Sequence, residues 1–244
     1  MISFIISAKN EEDYIADCLQ SIMTQAADEI FEIIVVDNNS SDKTSQIAKQ
    51  VCPQVIIATE TKPGTNAARQ AGFLKAKGEW LVFLDADVRL PDKDWLNRLN
   101  KKFVISGIAA ISSHYRYYGV PISQNILQTA GTFIFVYPWI FIINNLFHIG
   151  AHMIGGMMAI KKQALLEAGG FDAQSEFFGD EALISRRLYK FGKIIVSPNV
   201  WVYTSGRRFE NEGLLKSVFK YLLNYFWVLF KGRPYQRKGY KEIR

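Results

Sequence analysis

Apolar runs of strand length alternate with segments of helical period through the first third of the chain, and this constrains the fold more than any other feature. ISFIIS (2–7), FEIIVVD (31–37), QVIIAT (54–59) and WLVFLD (80–85) are separated by EEDYIADCLQSIM, SDKTSQIAKQV and TNAARQAGFLKAK. Runs without polar alternation are buried on both faces, and the helices between them supply the covering. The pattern predicts an α/β fold with a mostly parallel sheet flanked by helices.

In such sheets ligands bind outside the carboxyl ends of the strands, and here the acids gather at those ends. The first run leads into SAKNEE, the second ends in Asp37, and the fourth ends in Asp85, with Asp87 two residues on. One acid at a strand end is an ordinary cap or turn residue. Acids at three ends of four mark a binding edge. An Asp-x-Asp there suits Mg2+ or Mn2+, which take one or two carboxylates together with phosphate oxygens. Alternate residues of an extended segment point to opposite sides, so both carboxylates reach one ion only if the chain bends.

The net charge is +6 and the sequence pI about 9.2, but the charge is unevenly placed. Residues 207–244 hold ten Lys or Arg against three acids, a net +7, so the other 206 residues carry −1. A basic tail interleaved with aliphatic and aromatic residues argues against a nucleic-acid groove. Cys18 and Cys52 form no CxxC pair, and no basic segment precedes the first apolar run. Both features predict a chain that stays in a reducing cytoplasm.

Beyond residue 107 the pattern loosens. GIAAISSHYRYYG reads as a further strand, IGGMMAIKK as a glycine-rich strand, DEALISRRLYKFG as a helix and KIIVSPNVWVYT as a last strand or two. Residues 122–150 are mostly apolar, but Pro138, Asn144 and Asn145 leave less than the roughly 20 residues that a spanning helix needs. They are expected to form a buried or interfacial helix pair.

SAKNEE, VVDNNSSDKT, NAARQAGFLKAKGEWLVFLDADV, GGMMAIKKQALLEAGGFD and GDEALISRRL, in that order, resemble the family 2 glycosyltransferases over about residues 1–208. The resemblance implies a GT-A fold and an inverting, nucleotide-sugar-dependent transfer. It implies that Ala8 to Glu11 and Asp37 hold the base and ribose, and that Arg69, beside Asn66, lies near the nucleotide. Lys62 reads as part of a solvated face. Asp85 is expected at the ribose or a metal-bound water and Asp87 as the direct ligand of Mn2+ or Mg2+. Gly155, Gly156 and Asp172 would border the donor sugar and acceptor, and Thr204, Ser205, Arg207 and Arg208 would stand near the diphosphate.

The family usually has Glu-Asp, the second acid being the base, where this chain has Asp180 and Glu181. Glu181 matches the base by position and Asp180 by residue type; Glu181 is the expected base. Two further departures stand out. No histidine follows His152, so the C-terminal metal-ligating histidine common in the family is missing, and His148 with His152 lacks a third ligand. The Gln-x-x-Arg-Trp signature of processive synthases is also absent, which points to transfer of one or a few sugars.

The expected organisation is a catalytic domain over 1–211, with a nucleotide-binding half to 107 and an acceptor-binding half from 108. A basic amphipathic helical tail over 212–244 would follow, lying on a membrane surface. The donor is expected to be a UDP-sugar and the acceptor lipid-linked or part of a cell-envelope glycan, at the inner face of the cell membrane. Two other readings fit the same residues: a nucleotidyltransferase, although SAKNEE lacks that class's glycine-rich phosphate loop, and a nucleotide-sugar-binding scaffold that has lost turnover.

Overall fold

The computed structural model describes residues 1–26, 31–136, 138–139, 141–142, 153, 156–174, 180–207, 223, 227–228 and 231. The four apolar runs form strands β1 (Ile2–Ala8), β2 (Phe31–Asp37), β3 (Ile56–Thr59) and β4 (Trp80–Asp85), all parallel where they pair. With β5 (Ile108–Ser112), β7 (Met157–Lys161) and β8 (Lys193–Val196) they make a seven-stranded sheet in the order β3-β2-β1-β4-β7-β5-β8. β7 is antiparallel to both neighbours. The sheet is therefore mixed but mostly parallel, and β7 joins the two halves expected from the sequence across the 107/108 division.

Alternate residues of the central strands feed two separate cores. Phe4, Ile6, Val82 and Leu84 pack with Ile15, Leu19 and Ile22 of α1 (Ile15–Met23) and Trp95, Leu96 and Leu99 of α4 (Trp95–Phe103). Ile5, Leu81 and Phe83 face the other way, onto Ala68 and Phe73 of α3 (Thr65–Lys75). That is why these runs show no polar alternation: both faces of the strand are covered. Other helices among the described residues are α2 (Thr44–Val51), α5 (Ile122–Gly131), α6 (Lys162–Glu167) and α7 (Asp180–Leu188).

Close packing of α3 on the sheet depends on Gly72, where a Cβ would run into Cγ2 of Ile5. Gly72→Ala gains helix propensity worth about 1 kcal/mol but overpacks this contact, at a cost of about 1–3 kcal/mol. Net destabilisation is expected, read as a lower urea midpoint at unchanged m-value.

The stretch 107–119 departs from the single strand expected. β5 ends at Ser112, and Tyr115–Tyr118 forms β6 in a separate two-stranded ribbon with β9 (Val202–Ser205). β5 runs parallel to β8 up to the pair Ser112↔Val196, and β6 continues parallel to β9 from Tyr115↔Val202. Both chains bend at the same level, at Ser113–His114 on one and at the short 3-10 turn Pro198–Val200 on the other. Proline has no N–H for a ladder, so it stops β8 and permits the bend.

The apolar segment expected to form a buried or interfacial pair is not buried where it is described. Ile122, Ile126, Leu127, Phe133, Ile134, Phe135 and Phe141 of α5 and the following π-helix Thr132–Val136 and its continuation are exposed. No helix among the described residues is long and apolar enough to cross a membrane. His148, His152 and most of the tail, including the 211/212 division, lie outside the described residues. Within the tail, Val228 is fully buried and its carbonyl accepts a hydrogen bond from Arg186 Nη1 of α7 at 2.9 Å.

Candidate active site

Parallel pairing brings the carboxyl ends of β1, β2 and β4 to one edge, with Ala8 opposite Asp37 and Ser7 opposite Asp85. Asp37 accepts the Ser40 N–H at 2.8 Å through one oxygen and the Ser45 hydroxyl through the other. The Ala8 carbonyl accepts the N–H of Asn38 at 2.8 Å. Asn38 is buried and donates to the carbonyls of Glu60 and Lys62 at 2.9 and 2.6 Å, while its Oδ1 accepts from Gly64 N–H at 3.0 Å. Gly64, at φ 116°, then leads into α3. Asn38 thus shapes the floor beside Asp37, a role hidden in the sequence among the small polar residues of DNNSSD. Lys62 is exposed, as expected of a solvated position.

After β4 the chain turns, with Val88 N–H bonded to the Asp85 carbonyl at 3.1 Å, supplying the bend that the Asp-x-Asp spacing requires. Two guanidiniums organise the acids around it. Arg69, whose side chain is 5% exposed, reaches Asp85 Oδ1 and Glu181 Oε1, each at 3.3 Å. Arg207 reaches Glu11 Oε1 at 2.6 Å and Asp87 Oδ2 at 3.4 Å, and lies 4.6 Å over the ring of Tyr14. Thr204 donates to Asp87 Oδ1 at 3.3 Å, and the Tyr118 hydroxyl to the Asp87 carbonyl at 2.8 Å. The ribbon of β6 and β9 therefore closes over the Asp-x-Asp turn.

Gly156 completes this wall. Its carbonyl accepts the Asp85 N–H at 3.3 Å and its own N–H donates to the Tyr115 hydroxyl. A Cβ at Gly156 would stand 2.7 Å from the Tyr115 hydroxyl oxygen and 3.2 Å from Asp85 Oδ2. Glycine is what allows the approach.

Among the described residues the guanidiniums of Arg69 and Arg207 tie together Glu11, Asp85, Asp87 and Glu181. Asp87 bears the cost of its place: burial and then the charge of Asp85 push its carboxyl from 3.8 up to about 7, against the pull of Arg207. Burial opposes the charge of Arg207, yet its hydrogen bond to Glu11 and the charge of Asp87 hold it above the ordinary arginine value. Burial and then Asp85 likewise raise the Tyr115 phenol. A buried carboxyl driven toward neutrality, beside a second one, is a place where a divalent cation would relieve strain. Asp85 and Asp87 fit such an ion, with room in its preferences for phosphate oxygens. Among the described residues no group of three or more His, Cys, Asp or Glu forms a metal cage by itself.

Most residues singled out in the sequence meet here, but not all. The Asp172 carboxylate accepts the Gln174 N–H at 3.0 Å in an exposed turn, and only its backbone carbonyl, with Asn66 Nδ2 at 3.4 Å, touches the α3 side of the site. Asp180 begins α7; its side chain, and Gly155 and Arg208, lie outside the described residues. Tyr14, Tyr115 and Tyr118 join the site without having been marked in the sequence. The aromatic density of YRYY could have pointed to Tyr115 and Tyr118; nothing local marks Tyr14.

Residues 3–169 match the family described as Glycosyl transferase family 2. Glycosyltransferase GlyA of Streptococcus pneumoniae is 24% identical over 220 residues, 83% of this chain and 30% of that protein. The fold superposes on a mannosyltransferase of Pyrobaculum calidifontis solved with GDP-Man and Mn2+, at TM-score 0.63 and 21% identity, covering 83% of this chain and 56% of that one. It also superposes on the glucosyl-3-phosphoglycerate synthase of Mycobacterium tuberculosis solved with Mn2+, UDP and phosphoglyceric acid. The TM-score there is 0.65 and the identity 18%, over 95% of this chain and 78% of that one. Against its first three curated relatives the chain spans 30%, 33% and 56% of their length.

Proposed function

The chain belongs to glycosyl transferase family 2, and from that premise we propose that it moves a sugar from a nucleotide-diphosphate donor, a UDP-sugar, to an acceptor hydroxyl with inversion at the anomeric carbon. The observation that carries this reading is Arg69 reaching Asp85 and Glu181 at 3.3 Å each. One fixed cation spans the donor-side acid and the acid expected to act on the acceptor.

In this mechanism Ala8, Asp37 and the Asn38 floor receive the nucleoside at the β1–β2 edge. Asp85 and Asp87 would hold Mn2+ or Mg2+, which when bound neutralises charge on the departing diphosphate. Arg207 has one guanidinium between Glu11 and Asp87, and its planar fork suits phosphate oxygens equally. Glu181 takes the proton of the acceptor hydroxyl as its oxygen bonds to the anomeric carbon and the carbon–phosphate oxygen bond breaks. Arg69 is a positioning residue, since it fixes Glu181 and Asp85 relative to one another. The missing Cβ at Gly156 lets the Tyr115 hydroxyl and Asp85 close on its backbone, which fixes the wall beside Asp85.

Two relatives of this fold carry UDP or GDP-Man together with Mn2+, which supports a nucleotide-sugar donor and a divalent ion for this chain. Calorimetric titration of UDP and of GDP, each with Mn2+ and after chelation, tests the reading. Metal-dependent binding of UDP is expected. GDP binding in its place would overturn the donor assignment, and no binding of either, with or without metal, would overturn the reaction.

A further inference from the structure

An exposed apolar stretch outside the site has no place in the reaction. From Tyr117 to Ile160 the sequence contains no Asp, Glu, Lys or Arg. Its described part does not hide in the core: Ile122 is 79% exposed, Leu127 65%, Ile134 61%, Phe135 71% and Phe141 67%. Large apolar side chains exposed in such numbers along one segment mark an interaction face. Here they come in two closely spaced sets along consecutive helical turns, α5 and the π-helix that continues it.

The face is fixed to the site rather than hung from it. Asn125 of α5 brackets Tyr117, its amide donating to the Tyr117 carbonyl at 2.7 Å and its Oδ1 accepting the Tyr117 N–H at 3.3 Å. Tyr118, the next residue, bonds the carbonyl of Asp87. One short strand therefore links the apolar face to the Asp-x-Asp turn.

Positive charge borders the face. The exposed Arg116 lies 4.0 Å over the Trp201 ring, and the ring of Phe133 meets that of His114 edge-on at 5.4 Å. Arg98, His114, Arg116, Phe133 and Trp201 line a groove of about 450 Å3 together with Asp92, which pairs with Arg98 at 2.9 Å. The net +7 of residues 207–244 belongs to the same chain. The apolar stretch itself carries no acid from Tyr117 to Ile160 and Arg116 borders it, which matches a bilayer: acyl chains meet the apolar part and anionic headgroups the cations. A protein partner would more often be met by a rim of mixed charge.

We infer that α5 and the segment through Ile142 form a monotopic docking face for a bilayer containing anionic lipid, holding the ribbon side of the site against the headgroups. The docking does not depend on the reaction proposed above; its corollary, that the acceptor is drawn from the membrane, rests on that reading.

Flotation of the full chain with vesicles of phosphatidylcholine and phosphatidylglycerol tests it. The parent protein should float, and Ile134→Glu with Phe135→Glu should lower the vesicle-bound to free ratio by about tenfold or more, with UDP binding unchanged. Both side chains are exposed, so the thermal midpoint should hold; Ile126→Ser with Leu127→Ser is a second variant of the same face without added charge. Flotation of both variants at the parent's level would overturn the inference and assign binding to the tail. A parent that stays out of the vesicles but forms a dimer broken by these variants would also overturn it, in favour of a second copy of the chain. Lost UDP binding in the parent would strike the proposed reaction and leave the docking result intact.

Discussion

Asp87→Asn should abolish metal-dependent nucleotide binding and lower transfer by about a thousandfold, ~4 kcal/mol of transition-state stabilisation, while making the folded protein more stable at pH 8. Opposite signs are expected because the same burial serves one purpose and harms the other. The carboxyl titrates at about 7 in the fold against 3.8 in the unfolded chain. The folded state therefore keeps a proton that the unfolded state has released. The group's contribution to stability is fully present below about 3.8 and is lost as pH rises through about 7. Asparagine carries no such charge, so the stability gap between variant and parent should open from pH 4 to 7 and then level off, at no more than about 4 kcal/mol. Urea denaturation at pH 5 and pH 8 measures it, and a gap of equal size at both would sink the assignment. Cation binding must displace that proton, so the parent's affinity for Mn2+ should also fall as pH drops below 7.

The conflict at Asp87 explains which parts of the molecule were legible beforehand. The central strands were readable because β1 and β4 feed two cores, one through Phe4 and Ile6 and the other through Ile5. Such a strand must be apolar at every position, and a run like WLVFL announces itself. By contrast β3, at the sheet's edge, leaves Ile56 exposed and is not buried on both faces as its apolar run suggested. The acids at the strand ends were readable because they break the apolar rule at the same edge each time. What the sequence could not display is pairing across long separations. Arg207 and Glu11 stand 196 residues apart and Arg69 and Glu181 112 apart, and no local pattern ties one to the other.

The ribbon failed to show for a different reason. Ser112, Ser113 and His114 are all buried, so GIAAISSHYRYYG reads as one continuous strand by burial and propensity. Its break is imposed from the other chain, where Pro198 ends β8 and the pairing restarts at Val202. The consequence is functional. Without the bend, Tyr115 and Tyr118 would extend the large sheet; with it, they turn toward Gly156 and Asp87. A similar limit applied to the apolar stretch after Pro121. Absence of charge told of an apolar environment, but only the fold decides whether that environment is the protein's core or something outside it.

The exchange of Glu-Asp for Asp-Glu gives the sharpest division between neighbouring residues. Glu181→Gln should lower kcat by about 10^2 to 10^4 and leave UDP affinity within a few-fold of the parent. Glutamine is close in size and can still accept from Arg69, whose second partner Asp85 remains. The buried guanidinium is then not stranded, and the loss reports the missing base rather than a collapsed site. Asp180→Asn should have a small effect, because the geometry gives the Arg69 contact to Glu181. Steady-state rates at saturating Mn2+ separate the two. Asp180→Asn should keep the parent's kcat to within a few-fold, and Glu181→Gln should lose it while still binding UDP. If Asp180→Asn is the variant that loses kcat, the family's order of the pair has been inverted in function as well as in sequence. Arg69 would then position the wrong acid, so Arg69→Lys, which cannot span Asp85 and Glu181 with one planar fork, should leave kcat nearly unchanged. With Glu181 as the base, Arg69→Lys should cost at least tenfold in kcat.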